Sequence, residues 1–242
     1  MPPMPDQKTA LVISAHSADF VWRSGGAIAL HVDQGYHVRV ICLSFGERGE
    51  SAKLWKQSGM TLEQVKTDRK REAAAAAAIL GCEVVFLDRG DYPLRVDDEL
   101  LYELVDHYRE LNPAFVLTHS LADPYNFDHP EAAHLAQEAR IIAQAHGHHP
   151  HQPVLGAPPV YLFEPHQTEQ CGWRPDAFLD IGPVWERKRL AFECMAAQEH
   201  LWEYYTRVAQ QRGNQAARNS GRKVTYGEAY QRVFPELVES LA

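Results

Sequence analysis

The chain has 242 residues, of which 45% are hydrophobic and 23% are charged, so we expect one domain over residues 1–242 with a full hydrophobic core. Lys and Arg number 24 against 32 Asp and Glu, which gives a formal net charge of -8 and excludes the basic surface typical of nucleic-acid-binding proteins. The N-terminus has no signal-peptide pattern, and no apolar run reaches the roughly 18 residues of a membrane helix. We therefore expect a cytoplasmic protein without membrane or nucleic-acid partners.

Strand-like and helical segments alternate along the first two thirds of the chain. Short β-rich apolar runs predict strands over 10–15, 37–45, 83–87, 114–118 and 160–163. Helical patterns lie between them over 25–34, 62–80, 98–110 and 130–146, with Gly35 and Gly81 where C-terminal caps belong. This alternation predicts a mostly parallel sheet with helices on both faces, a Rossmann-like three-layer α/β/α sandwich.

The last third of the chain follows a different pattern. Residues 147–159 are rich in Pro, Gly and His and predict an irregular connection, in which His148, His149 and His151 are solvated rather than metal ligands. After Trp185, residues 186–213 predict one long helix that packs against the sheet or a partner subunit. This helix leads us to expect a homo-oligomer.

Polar residues follow four of the predicted strands. Because ligands of parallel α/β sheets bind beyond the carboxyl ends of the strands, these residues are the candidates for a functional site. They are His16 and Asp19 after the first strand; Glu47, Arg48 and Glu50 after the second; His119, Asp123, Asn126, Asp128 and His129 after the fourth; and Glu164 and His166 after the fifth.

Two histidines and an aspartate with a free coordination position match a catalytic zinc site. Imidazole and carboxylate ligands also suit iron or manganese, and His16 taken alone is more typical of a hydrogen-bonded core histidine than of a metal ligand. A dinucleotide cofactor is excluded, because the turn after the first strand lacks the G-x-G-x-x-G pattern.

Three motifs, AHSADF (15–20), FGERG (45–49) and NFDH (126–129), carry a resemblance to the PIG-L or LmbE-like family of zinc-dependent N-deacetylases. That family has A-H-P-D-D-E, G-E and H-P-D-H in the same order. The resemblance implies the fold predicted above and one Zn²⁺ per chain, bound by His16, Asp19 and His129. It also places the family's general base on Ala18 and the histidine that resembles an oxyanion stabiliser on Asn126.

Alanine cannot accept a proton, so the family's usual amide hydrolysis is not expected. The changes resemble a hydratase of this family, one that adds water across the carbon–carbon double bond of an unsaturated oxo-tricarboxylate. A deacetylase of an N-acetyl amino sugar and a metal-binding subunit without catalysis remain as alternatives. A site with an open metal position separates the first two from the third.

Hydration requires a base that accepts a proton from water and an acid that donates a proton to carbon. We assign the base to Glu47, whose alternative role is a hydrogen bond to His16 or Asp19, and the acid to His166, whose alternative is a surface loop position. Binding of substrate is assigned to Arg48, which could clamp a carboxylate, and to Asn126 and Asp128. Weaker candidates for the carboxylates are Arg23, Arg69, Arg89 and Arg95.

Overall fold

Seven strands form a single mixed sheet in the computed structural model, which describes Met4 and residues 7–238. The strands are β1 (Thr9–Ser14), β2 (His37–Cys42), β3 (Glu83–Phe86), β4 (Phe115–Thr118), β5 (Val160–Phe163), β6 (Ala177–Asp180) and β7 (Gly227–Arg232). Their spatial order is β3-β2-β1-β4-β5-β7-β6. The first five run parallel, and β7 pairs antiparallel with both β5 and β6.

Helices cover both faces of this sheet. They are α1 (Asp19–Asp33), α2 (Ala52–Trp55), α3 (Leu62–Leu80), α4 (Asp98–Leu111), α5 (Asp128–Ala143), α6 (Trp185–Glu193) and α7 (Leu201–Ser220), with short 3-10 turns at Gly182–Val184 and Ala196–Gln198. One core cluster packs α1, α3, α6 and α7 against the sheet, and a second packs α4 and α5 against its other face. The predicted three-layer α/β/α fold with a mostly parallel sheet is confirmed.

Local sequence explains the best-defined helix, α3. Thr61 accepts a hydrogen bond from the Gln64 backbone N–H, and the Gln64 side chain accepts one from the Thr61 backbone N–H, which forms a capping box. Its alanine-rich second half buries Ala73, Ala76 and Ala77 against the sheet layer. Gly81 ends the helix with φ of 83°, a left-handed conformation that costs glycine little.

The structure differs from the predicted elements in three larger respects. The helix expected over 25–34 begins six residues earlier, at Asp19, because Ser24, Gly25 and Gly26, a sequence typical of a turn, lie inside the helix. The helix expected over 186–213 is broken between α6 and α7, and the Ala196–Gln198 turn lies in the break. Strands β6 and β7 were not predicted, since AFLD and GEAYQR are short and lack a clear apolar alternation.

Helix α1 packs closely against Glu228 of strand β7 and against Ile181, which follows β6. A Cβ added at Gly26 would lie 2.5 Å from Cγ2 of Ile181 and 2.8 Å from Oε1 of Glu228, so only glycine permits this approach. The contact fixes the helix whose first turns carry Asp19 and Arg23. In the part of the chain described, no helix has the length and apolar composition required to cross a membrane.

Candidate metal centre and active-site cavity

A cavity of about 420 Å³ opens at the carboxyl ends of the parallel strands. This is the point at which the strand order reverses. β2 lies on one side of β1, and β4, which comes later in the chain, lies on the other side. Residues that line it include Asp19, Trp22, Arg23, Glu50, Tyr92, Asn126, His129, His166 and Tyr205. The cavity therefore contains side chains from four of the predicted strand ends or the elements beside them.

Four side chains at the base of the cavity form a cluster suited to a metal ion. His16, Asp19, Glu50 and His129 each offer one ligand atom, and these atoms lie within 4.8 Å of one another. Three of them are the ligands expected from the sequence, and Glu50 is a fourth. Two imidazoles and two carboxylates without a thiolate match the donors of divalent zinc, iron or manganese.

His16 is fully buried and is held between carboxylates on both sides of its ring. Its Nδ1 lies 3.0 Å from Oδ2 of Asp19 and 3.2 Å from Oε1 of Glu50. Its Nε2 lies 3.2 Å from Oδ2 of Asp128, which also accepts backbone hydrogen bonds from Tyr92 and Leu94. Asp128 thus holds one ring nitrogen and directs the other towards the cluster.

His129 provides the test of whether a metal fits. Its Nδ1 lies 2.8 Å from Oδ2 of Asp123, which fixes the ring. Its Nε2 is buried and has no hydrogen-bond partner among the residues described, yet it points to within 3.6 Å of Oδ1 of Asp19. A buried nitrogen without a partner is costly, and a cation shared with Asp19 would remove that cost. The donor set therefore fits a divalent metal.

The electrostatics of the cluster favour positive charge at its centre. Burial opposes ionisation of Asp19, but the adjacent His129 and His119 hold the pKa of Asp19 well below its ordinary value. Burial likewise opposes charge on His16, yet Glu50 and the neighbouring carboxylates raise the pKa of His16 well above its ordinary value. The carboxylates are therefore ionised and arranged around a position that attracts a cation.

Glu50, and not Glu47, is the glutamate of the cavity. Glu50 lines it and lies 3.4 Å from Nδ2 of Asn126. The buried Glu47 carboxylate accepts hydrogen bonds from the Phe45 backbone and from Arg48, at 3.2 and 3.4 Å, and does not line the cavity. Glu47 is likewise absent from the four-residue cluster.

Arg48 also lies outside the cavity lining. Its side chain is 50% exposed and points towards Glu47 and Asp91. The turn after β2 is fixed instead by Asp91, whose carboxylate accepts backbone hydrogen bonds from Arg48 and Gly49. The structure does not place this guanidinium where a substrate carboxylate would bind.

Asn126, Asp128 and His119 differ in their relation to the cavity. Asn126 lines the cavity beside Glu50, whereas Asp128 lies behind His16 and does not line it. His119 stacks on His129 at 4.2 Å between ring centroids, and its Nε2 accepts a hydrogen bond from the Ala15 backbone N–H. Burial, together with the adjacent His129, lowers the pKa of His119 well below its ordinary value, so its ring is neutral.

His166 also lines the cavity. Its Nε2 lies 2.6 Å from the Tyr205 hydroxyl. Burial and the positive charge of Arg23 lower the pKa of His166 to about 4, so its ring is neutral at pH 7 in the free protein. Glu164, the other candidate of this strand end, pairs its carboxylate with Arg212 outside the metal cluster.

Sequence reasoning did not single out Tyr92 and Tyr205, and it gave Arg23 little weight. Tyr92 covers Gly49, where an added Cβ would lie 2.2 Å from its ring, and nothing in its local sequence signals this. Tyr205 reaches the cavity only because the chain breaks before α7. Arg23, by contrast, follows Asp19 by four residues on one helix face, a spacing visible in the sequence.

Comparison with known proteins places these features in one family. The family model described as PIG-L, GlcNAc-PI de-N-acetylase, matches residues 11–140. A protein of Pseudomonas putida KT2440 named "4-oxalmesaconate hydratase" is 65% identical over 240 residues, which cover 98% of this chain and 93% of that protein. The crystal structure of GalB, the 4-carboxy-2-hydroxymuconate hydratase from the same strain, is 64% identical with a TM-score of 0.96, covering 98% of this chain and 100% of that one.

More distant structures share the fold. The N,N'-diacetylchitobiose deacetylase from Pyrococcus horikoshii is 23% identical with a TM-score of 0.78, and the match covers 94% of this chain and 84% of that chain. At this identity the likeness supports the architecture alone.

Proposed function

This chain belongs to the PIG-L family, and from that premise we propose that it hydrates 4-oxalomesaconate to 4-carboxy-4-hydroxy-2-oxoadipate in gallate degradation. The observation that carries the proposal is its 65% identity, over 98% of its length, to a hydratase of that name. The substrate name of the second relative, 4-carboxy-2-hydroxymuconate, describes the enol form of the same carbon skeleton. The chain is accordingly a hydro-lyase rather than a deacetylase.

The site chemistry supports hydration over amide hydrolysis. Ala18 stands where the resemblance places the deacetylase base, and its side chain is fully buried. Glu50 lines the cavity, and its Oε1 lies 3.2 Å from Nδ1 of His16. The metal-binding side chains are retained while the deacetylase base is absent, a combination suited to a different water-adding reaction on the same fold.

We propose Zn²⁺, one per chain, held by His16, Asp19 and His129, with Glu50 beside them. When bound, this cation would supply a Lewis acid that lowers the pKa of water. Asp123 and Asp128 hold the outer nitrogens of His129 and His16 and so orient both rings.

We propose that Glu50 is the base that accepts a proton from the attacking water. Its carboxylate lines the cavity beside the proposed cation site, and a positive charge there favours the ionised form, which can accept a proton. Nδ2 of Asn126 donates a 3.4 Å hydrogen bond to Oε1 of Glu50. This assignment replaces the role given to Glu47 on sequence grounds, because Glu47 faces the backbone of its own turn.

The proton delivered to carbon is assigned to His166, at the far end of the cavity. Its ring is neutral in the free protein, and the carboxylates of a bound tricarboxylate would raise its pKa and so favour the imidazolium donor. The hydroxyl of Tyr205, 2.6 Å from Nε2, orients the ring. Binding of the substrate would thus convert His166 to the protonated form that can donate a proton.

One assay separates this function from the deacetylase alternative. Metal-loaded protein is incubated with 4-oxalomesaconate, following the loss of conjugated absorbance, and in parallel with N-acetylglucosamine derivatives, following acetate. We expect loss of absorbance without acetate release. Acetate release with no hydration would refute the proposal, and His16→Ala, which removes a metal-binding side chain, is the negative control for both reactions.

We also propose that the protein is a homo-oligomer. Tyr125 and Phe127, beside the cavity, are 62% and 78% exposed, and aromatic side chains this exposed are typical of interfaces between subunits. The face of α7 that points outward is polar and does not support the sequence argument for its involvement. Sedimentation equilibrium measures the subunit number.

A further inference from the structure

Arg23 is a buried guanidinium at the inner end of the cavity, close to the metal centre. The residue is 6% exposed. Its Nη1 donates a 2.6 Å hydrogen bond to the backbone carbonyl of Glu164, and its Nε donates a longer one, 3.4 Å, to Oδ1 of Asp19. These two contacts hold the side chain in one orientation across the cavity.

The third nitrogen of this guanidinium, Nη2, has no hydrogen-bond partner among the described residues. Arg23 donates hydrogen bonds from Nε and Nη1 only. Nη2 is not among the fully buried polar atoms that lack a partner, and Arg23 lines both the main cavity and a second, small one. A guanidinium with free donors in a concave site is suited to a planar anion.

The charges around Arg23 also favour the binding of an anion. Asp19 is the carboxylate nearest to Arg23, and it belongs to the four-residue metal cluster. Once Asp19 shares its charge with a divalent cation, Arg23 keeps a buried positive charge with only a backbone carbonyl as its other partner. An unpaired buried charge is costly, and an anionic ligand would supply the missing partner.

The other cations of the cavity do not fill this role. Lys53 is 49% exposed and pairs with Glu199 at 2.8 Å, and Lys56 is an exposed residue of the rim. Arg48, expected to clamp a carboxylate, lies outside the lining. Arg23 is therefore the buried cation of this cavity. It lies beside His166, and both residues line the main cavity and the second, small one.

We infer that Arg23 binds a substrate carboxylate, specifically the one bonded to the carbon that receives the proton. This inference rests on the proposed function. In that hydration a C–O bond forms at the carbon that carries a carboxylate, and the π pair moves to the neighbouring carbon and its own carboxylate. His166 then protonates that carbon while Glu50 holds the proton lost by water, so that one H₂O is added in total.

Arg23 would therefore act in specificity and in the transition state. It selects substrates with a carboxylate next to the acceptor carbon, and it stabilises the charge that moves onto this carboxylate as the C–O bond forms. A neutral N-acetyl sugar offers no such group. Removing Arg23 should raise KM and lower kcat together, because the carboxylate is present before and during the reaction.

The test compares Arg23→Met, Arg23→Lys and Arg207→Met. Arg207 is a 67% exposed cation of α7 that lines a separate surface groove, so its variant controls for the lost charge. The probes are turnover of 4-oxalomesaconate and calorimetric binding of tricarballylate, a saturated tricarboxylate that cannot be hydrated, all at saturating metal. We expect Arg23→Met to weaken tricarballylate binding by about 10-fold or more and to lower kcat/KM by ~10²-fold or more. Arg23→Lys should fall between, since it keeps the charge but not the planar fork.

Two outcomes would overturn the inference. One is tricarballylate affinity in Arg23→Met within twofold of wild type. The other is a loss confined to metal affinity, which would make Arg23 a positioning residue for Asp19. If Arg23→Met does not fold, Arg23→Lys decides by the same two measurements. Failure of the proposed function would appear separately, as wild-type protein without turnover, and tricarballylate binding would still report on Arg23.

Discussion

Nδ1 of His129 lies 2.8 Å from Oδ2 of Asp123, while Nε2 of the same ring is buried and has no partner in the described part of the chain. The carboxylate therefore fixes the ring so that its second nitrogen faces Asp19. Such a carboxylate–histidine pair orients a metal-binding imidazole and raises its basicity. His129 is thus prepared to bind a cation by a residue that does not itself belong to the four-residue cluster.

The first prediction concerns this pair. Asp123→Asn should weaken metal affinity by ~10- to 100-fold, since the amide no longer provides the charge that favours the required ring orientation. Competition with a chromophoric chelator measures the affinity, and Asp33→Asn, on the exposed end of α1, is the control. Equal affinities in the three proteins would show that Asp123 does not support the metal site.

The second prediction contrasts two glutamates of one turn. Glu50→Gln should lower kcat by ~10²- to 10⁴-fold, because it removes the carboxylate proposed to accept the proton of water. Glu47→Gln should change kcat much less, because its carboxylate faces the Phe45 backbone and Arg48. Steady-state kinetics at equal metal content measure both. The reverse order of effects would restore Glu47 as the base.

The difference between these glutamates marks where sequence reasoning stops. Spacing placed both after β2, at the correct edge of the sheet, because strand ends follow from apolar patterning. Which of them enters the cavity depends on the turn from Gly46 onward, where Gly46 has φ of 68° and Ser51 binds the Gly46 carbonyl. No periodicity describes such a turn, so the choice could not be made from the sequence.

The two histidines of the proposed metal site illustrate the opposite case. His16 follows a fully buried strand, and His129 lies in the first turn of α5, both positions that local sequence determines well. Their identification also used the family motif, which carries three-dimensional information that spacing lacks. Tyr205 reaches the same cavity only through the break between α6 and α7, a tertiary feature that the apolar pattern of 186–213 did not reveal.

The third prediction concerns the pH dependence of His166. Burial and Arg23 lower its pKa to about 4 in the free protein, so the imidazolium fraction falls as the pH rises above that value. Bound carboxylates raise the pKa of the ring in the complex. The alkaline limb of kcat/KM, which reports the free enzyme, should therefore lie at lower pH than that of kcat.

The His166→Gln variant tests whether the alkaline limb of the pH profile arises from His166 or from another titrating group. The variant should lose ~10²-fold in kcat and should lack the alkaline limb in kcat, while its metal content stays unchanged. A limb that persists at the wild-type position, with near-normal turnover, would show that His166 is only a residue of the cavity wall.

The fourth prediction addresses the missing deacetylase base. Ala18 is fully buried and packs in the core cluster beneath α1. Ala18→Asp would bury a second carboxylate next to Asp19 in the sequence and disturb the proposed metal site, so hydration should fall by ~10²-fold or more. Ala18→Asn separates charge from size, and acetate release from an N-acetyl sugar tests for restored amide hydrolysis. Hydration at the parent rate in Ala18→Asp would show that the motif register is misassigned.

The last prediction concerns stability at the contact between α1, α6 and β7. The buried Glu228 carboxylate accepts hydrogen bonds from the backbones of Gly26 and Ala27 at 2.7 and 2.8 Å, from Nζ of Lys188 at 2.5 Å and from the Tyr230 hydroxyl at 2.6 Å. Lys188 and Glu228 have side-chain exposures of only 3% and 4%. Each charge therefore depends on the other for compensation.

Removing one member of this pair should cost more than removing both. Lys188→Met leaves an uncompensated buried carboxylate and should lower the free energy of unfolding by ~3–5 kcal/mol. Combining it with Glu228→Gln removes the unpaired charge, and the amide oxygen keeps one of the two backbone hydrogen bonds. The double variant should therefore be more stable than Lys188→Met alone. Urea unfolding of the two single variants, the double variant and wild type measures the coupling. Additive losses would show that the two side chains act independently, despite the 2.5 Å contact between them.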